Sequence, residues 1–219
     1  MQGFDDAFKG VFVGADMAGL LVSHSYSNAS VAVGAFRWND NSLNDSSAPK
    51  SLGRQTRDFL VLDGKFNLTK ETKLGAAYYF MKDNTKNGTT ESDPGAIIIG
   101  HTANGDPIYD LPPITTTTTN KDQIHMIGVN AETVAGPLTL NGFIAAQFGQ
   151  VGPDKKDLSA YAASIGANMK VGKGTLRGDL LYATGDDGKD DDTSHAFQSV
   201  AYESGYYANE MVILGRDKN

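Results

Sequence analysis

Alternation with a period of two through Arg57–Asp83, RDFLVLDGKFNLTKETKLGAAYYFMKD, constrains this chain more than any other feature. In the first run Leu60, Leu62, Gly64, Phe66 and Leu68 share one parity, while Asp63, Lys65 and Asn67 take the other. After the turn Thr69-Lys70-Glu71, Leu74, Ala76, Tyr78 and Phe80 alternate with Lys73, Gly75, Ala77, Tyr79 and Met81. Such alternation marks strands whose two faces meet different media, and so short a turn makes them antiparallel neighbours. Each run is about a dozen residues, against roughly five or six in soluble sheets and about ten in a tilted membrane-crossing strand. The fold therefore turns on what covers the apolar stripe: a second protein layer or lipid.

Composition narrows the options. No stretch approaches the ~20 consecutive apolar residues of a membrane helix, so any crossing is made by strands. The residues are 40% hydrophobic and 21% charged, and interleaving the two hides a barrel from averaged hydropathy. The absence of cysteine excludes a disulfide scaffold and thiolate metal sites. A net charge of −7 with no basic stripe speaks against nucleic acid as a partner. No secretory leader precedes Gln2, which is read as trimming rather than as cytosolic residence.

The same pattern recurs along the chain. Val11–Ser27 reads as one bent strand bulged around Gly14 and Gly19, followed by a strand over Ser30–Trp38. Further strands are predicted at Gln123–Thr133, Leu138–Gln150, Leu158–Val171 and Leu176–Thr184, with a last run at Tyr206–Leu214. Short turns fall near Asn28, Lys70, Gly136 and Lys173. Long polar loops fall between them, among them Asn39–Gln55, Asn84–Lys121 and the acidic stretch after Gly185. A short-long rhythm puts all short turns at one end of the strands, as in outer-membrane barrels. The predicted fold is all-β: an antiparallel up-and-down meander of about nine to ten long strands, part or all of a transmembrane β-barrel. It is read as a single domain over residues 1–219, with 84–121 as a long outer loop.

Later hairpins repeat the two faces. The apolar one carries Leu138, Leu140, Ile144 and Phe148, then Tyr161 and Ile165, then Leu176, Leu180 and Tyr182. Tyr78, Phe80, Phe148, Tyr161 and Tyr182 fall toward the long-loop ends, where an interfacial aromatic girdle belongs. The polar faces hold Asp63, Lys65, Lys73, Glu132, Asn141, Asn168, Lys170, Arg177 and Asp179, which in a barrel are pore-lining. Both signs occur in similar number, which suits polar solutes such as sugars and implies no strong charge selectivity. The competing reading is a soluble or surface-exposed β-sandwich used for binding or adhesion, whose outer face these residues would form.

The opening QGFDDAFKGV (Gln2–Val11), read as feeding directly into a strand, resembles a segment of alginate-export-type outer-membrane porins; the hairpin ending LYATGDD (Leu181–Asp187) is similar to those barrels too. The resemblance implies a large single-chain barrel in a bacterial outer membrane, passing anionic polysaccharide or other hydrophilic solutes. Family barrels have about twice as many strands as are counted here. They usually end on an aromatic residue, whereas this chain ends Arg216-Asp217-Lys218-Asn219. The expectation is a piece of a larger barrel, whose unpaired sheet edges invite self-association.

Other chemistry was weighed. His24, His101, His125 and His195 show no zinc-binding spacing. Asp186, Asp187, Asp190, Asp191 and Asp192 form a weak candidate for a hard cation, without the order of an EF-hand loop. Ser23 and Ser25 flank His24, but neighbours in a strand point to opposite faces, so no catalytic pair forms. No cofactor and no enzymatic activity are expected. The loop Asn84–Lys121 mixes Ile97–Ile99, Ile108, Tyr109 and Leu111 with three prolines, and is predicted either to fold inward as a constriction or to form a small external hairpin. The functional expectation is a passive channel: membrane lipid on the outside, small hydrophilic solutes within.

Overall fold

Turns too short to reach anything but a neighbour set the order of the wall. The structure, a computed structural model, describes residues 2–40, 55–85, 88–92, 98–109, 114–118, 121–152, 154–186 and 192–199. Its strands are β1 (Gln2–Asp5), β2 (Gly14–Ser25), β3 (Ala29–Asp40), β4 (Thr56–Asn67), β5 (Thr72–Asp83), β6 (Gly88–Ser92), β7 (Ile98–His101), β8 (Pro107–Tyr109), β9 (Ile114–Thr118), β10 (Asp122–Ala135), β11 (Leu138–Val151), β12 (Lys156–Val171), β13 (Gly174–Ala183) and β14 (Thr193–Ser194). The described residues contain no helix.

Ten strands form one sheet in the order β1-β2-β3-β4-β5-β10-β11-β12-β13, with β14 beside β12. All path neighbours are antiparallel; only β14 runs parallel to its partner. The tight turns close as their residues dictate. At β4–β5, the Thr69 hydroxyl accepts the N–H groups of Glu71 and Thr72. At β10–β11 and β12–β13, Gly136 and Gly172 take φ of 61° and 58°, a region in which a side chain is strained. The sheet is an open meander whose path ends on β1 and on β13.

Three readings need correction or completion. The opening segment does not feed directly into a strand. Gln2–Asp5 is itself β1, paired with Gly14–Met17, and residues 6–13 form a loop, so the strand before Asn28 begins at Gly14, and its pairings run without the expected bulge. Within Asn84–Lys121, β6 pairs with β9 and β7 with β8, as two small ladders separate from the wall. Pairing within the loop is what the hairpin reading expected. The predicted run Tyr206–Leu214, the chain end and most of the loop Asn39–Gln55 lie outside the described residues.

The two faces separate as the alternation requires. One face is open: Leu60 is 48% exposed, Phe66 40%, Leu140 38% and Ile144 62%. With Leu62, Val129, Ile165, Leu180 and others they form a continuous apolar band, and no second sheet covers it among the described residues. Along β12 this band runs from Tyr161 to Val171, about 33 Å of strand or about 25 Å of height at a ~40° tilt. A hydrocarbon core is matched by a band of about that height.

Above it lies an aromatic patch. His125 sits opposite Phe80 on β5 and Phe148 on β11, 4.6 and 5.0 Å from their ring centroids, and its Nδ1 shares a 2.7 Å hydrogen bond with the Tyr78 hydroxyl. Tyr161 and Tyr182 meet at 5.9 Å. One row further toward the long loops the same face turns polar, with Arg37, Asp58, Lys82, Gln123 and Gln150 aligned across five strands. The face thus passes through oily, aromatic and polar levels in that order.

Candidate functional site

The opposite face, called inner because residues 4–13 cover part of it, has cross-strand rows that change character with height. Nearest the short turns, Asn67, Lys73, Glu132, Asn141, Gly166 and Asp179 form one row across β4, β5, β10, β11, β12 and β13. Asn168 and Arg177 pair beside it. The next row includes Lys65, Gly75, Asn130, Phe143 and Ser164; the one above holds Asp63, Ala77, Gly128, Ala145 and Ala162. Beyond these, Val61, Tyr79, Met126 and Gln147 lead to Phe59, Met81, Ile124 and Leu158, all buried.

All nine sequence-predicted pore-lining residues thus share this face, and all sit in its short-turn half. Asp63 and Lys65 come from β4, Lys73 from β5, Glu132 from β10, Asn141 from β11, Asn168 and Lys170 from β12, Arg177 and Asp179 from β13. Lys73 Nζ lies 3.0 Å from Glu132 Oε1, and Arg177 Nε donates to Asn168 Oδ1 at 3.0 Å. Gly166 leaves room for its neighbours to lean together: a Cβ there would collide with Asp179 Oδ1 and lie 2.7 Å from Asn141 Oδ1. Asp63 Oδ1 and Asn141 Oδ1 are buried oxygens with no hydrogen-bond partner among the described residues.

The long-loop half of the same face is filled, and the filling is residues 4–13. Phe4 packs 5.5 Å from Phe36, 5.8 Å from Phe59 and 6.0 Å from Tyr79. Phe8 packs 6.0 Å from Tyr79 and 5.5 Å from Phe143; Phe12 stacks on Tyr79 and leans on Phe59. The row of small residues is what admits this segment, since a Cβ on Gly128 would lie 2.7 Å from the Phe8 ring.

Polar bonds fix the segment where the rings place it. The Asp6 carboxylate accepts four backbone N–H groups, Phe8 and Gly10 on Oδ1, Phe12 and Val13 on Oδ2, at 2.7–2.9 Å. Burial pushes that carboxyl up, while the four donors pull it down. Ala7 is gripped at both ends, its N–H donating to the Tyr79 hydroxyl at 2.8 Å and its carbonyl accepting from Asn130 Nδ2 at 3.0 Å. At the tip, Lys9 holds φ of 63°, uncommon for a side chain, and its ammonium lies 2.6 Å from Asp179 Oδ1 on β13. Farther up, the side-chain amide of Gln147 exchanges two hydrogen bonds with the backbone of Gln198, so residues 197–198 cover the inner face as well.

Sequence reasoning missed this filled half. The signal was the large apolar residues on the polar parity, Phe59, Val61, Tyr79 and Met81, which make the upper parts of these strands apolar on both faces. Of the weak cation candidates, Asp186 accepts from the Ser194 hydroxyl at 3.3 Å, and Asp186 and Asp192 are exposed. Asp187, Asp190 and Asp191 lie outside the described residues. Among the described residues no three His, Asp or Glu side chains converge as a metal site. No helix there is long and apolar enough to cross a membrane.

No protein-family model matches the chain, and no curated protein matches it. Among solved structures, a porin refined at 1.8 Å resolution is similar at a TM-score of 0.38 and 16% identity, over 81% of this chain. The chain spans 58% of the length of that porin.

Proposed function

We propose that this chain is wall from an outer-membrane channel that lets hydrophilic solutes diffuse along its polar inner face. The observation that carries the reading is the outer face: long strands whose apolar residues stay exposed over about 25 Å, bordered by an aromatic level. A soluble sheet would spend these side chains on a core, because contiguous exposed apolar patches of this size are rare on monomeric soluble proteins. Mixed charges and amides within provide donors and acceptors to replace solute hydration. The bacterial outer membrane is the location such a barrel implies, and saccharide or anionic solutes are the finer form of the proposal. The open edges at β1 with the rest of β2, and at β13, are completed by further strands, from this protein or from a second copy, since unpaired backbone is costly in lipid.

The test is reconstitution of the purified full-length protein into planar bilayers. Stepwise conductance, with a mobility on gels that shifts on heating, is the expected result. Clean monomeric behaviour in buffer without detergent, and no conductance, would instead leave the soluble β-sandwich.

A further inference from the structure

The inner face carries a charge that the strand pattern does not display. Counted from the strands alone, its short-turn half holds Lys65, Lys73, Lys170 and Arg177 against Asp63, Glu132 and Asp179. The inward segment adds Lys9, whose ammonium crosses to Asp179 over a sequence separation of 170 residues. We propose that the Lys9–Asp179 pair is the charge-balancing element of the lumen, each group cancelling the other's preference for ions of one sign, with residues 6–13 forming the constriction that presents it; this rests on the channel reading above.

Three observations support this assignment. First, it stands at the boundary between two kinds of lining. On one side Phe8 and Phe12 are wholly buried against Tyr79; on the other are the polar row of Glu132 and Asn141 and the neighbouring Asn168 and Arg177. A solute following the polar rows meets the inward segment here. Second, both charged groups keep a solvent face, the Lys9 side chain 22% exposed and that of Asp179 13%. Partial desolvation strengthens their field on a passing ion relative to the more open Lys73–Glu132 pair, at 60% and 44%.

Third, the placement is built rather than incidental. Lys9 takes a left-handed backbone conformation that a side chain adopts only at a cost, and the flanking N–H groups of Phe8 and Gly10 are held by the buried Asp6 carboxylate. Gly166 clears the space in which Asp179 lies. An intact pair is nearly neutral to a passing ion, so each partner masks the other.

The experiment measures reversal potentials of the full-length protein in planar bilayers under a tenfold potassium chloride gradient. Lys9→Gln unmasks Asp179 and should raise the cation-to-anion permeability ratio at least threefold. Asp179→Asn unmasks Lys9 and should lower it by a similar factor. Lys9→Asp combined with Asp179→Lys restores the pair in reverse and should return the ratio to within a factor of about 1.5 of the parent. Each variant is first required to keep its heat-modifiable mobility; should Asp179→Asn fail, Gly166→Ala displaces the carboxylate without removing it and must shift the ratio in the same direction. Conductance with unchanged ratios, or shifts of one sign in both single variants, overturns this proposal and leaves the channel standing. Absence of conductance in the parent overturns the channel reading and this proposal with it.

Discussion

Replacing Asp6 by alanine should release residues 6–13 from the inner face while leaving the wall folded. Burying Phe8, Val11, Phe12 and Val13 is worth about 6–12 kcal/mol at the usual 1.5–3 per large apolar side chain. Ordering the backbone of residues 6–13 costs about 8–16 kcal/mol at 1–2 per residue. These nearly cancel, so the polar anchors decide whether the segment docks. The four N–H groups on the Asp6 carboxylate, at about 1.5 kcal/mol each for charge-assisted bonds, contribute about 6 kcal/mol. Alanine removes all of it and leaves four buried donors facing nothing.

The loss expected is about 3–6 kcal/mol of docking free energy, allowing for water that enters the opened site. At 1.4 kcal/mol per decade, the exposed population then rises at least about 100-fold. Limited trypsin digestion of the detergent-folded protein reads it directly, because the cut after Lys9 requires the segment to leave the wall. Asp6→Asn keeps one acceptor oxygen and should fall between. A Lys9 cleavage rate in Asp6→Ala within twofold of the parent, at unchanged heat-modifiability, would show that the rings alone hold the segment and that this reasoning is wrong.

Three other outcomes follow from the same geometry. Ile144→Lys, at a site 62% exposed, should destabilise the protein by about 2–4 kcal/mol in urea titrations from phospholipid vesicles; a change within about 0.5 kcal/mol would be that of a water-facing site and would count against the lipid assignment. The single tryptophan, Trp38, packs against the inner core with the Arg57 guanidinium 5.0 Å over its ring, so brominated lipids should leave its emission essentially unquenched, and strong quenching would mean that the two faces are exchanged. Gly128→Val should displace Phe8 and also press on the Ile144 carbonyl, 2.7 Å from the new Cβ. A loss of about 1–3 kcal/mol in unfolding experiments together with faster cleavage after Lys9 is expected, and neither effect would mean that the segment does not rest on the small-residue row.

Alternation and turn length are local properties, and the sequence by itself determined what depends on them. Leu60, Phe66, Leu140 and Ile144 had to share a face opposite Asp63, Glu132 and Asp179 because successive residues of a strand point opposite ways. Turns as short as Thr69-Lys70-Glu71 had to join adjacent antiparallel strands, which fixed the order of the meander. Only the tertiary structure decided where residues 2–13 go. Residues 2–13 have no strong period, and their docking depends on a register that lines up Ala77, Gly128, Ala145 and Ala162, residues unremarkable one at a time. The partner of Lys9 lies 170 residues away, and within the loop Asn84–Lys121 β6 finds β9 and β7 finds β8. Contacts of that range come from how rows of a sheet align, and no periodicity within a single strand encodes them.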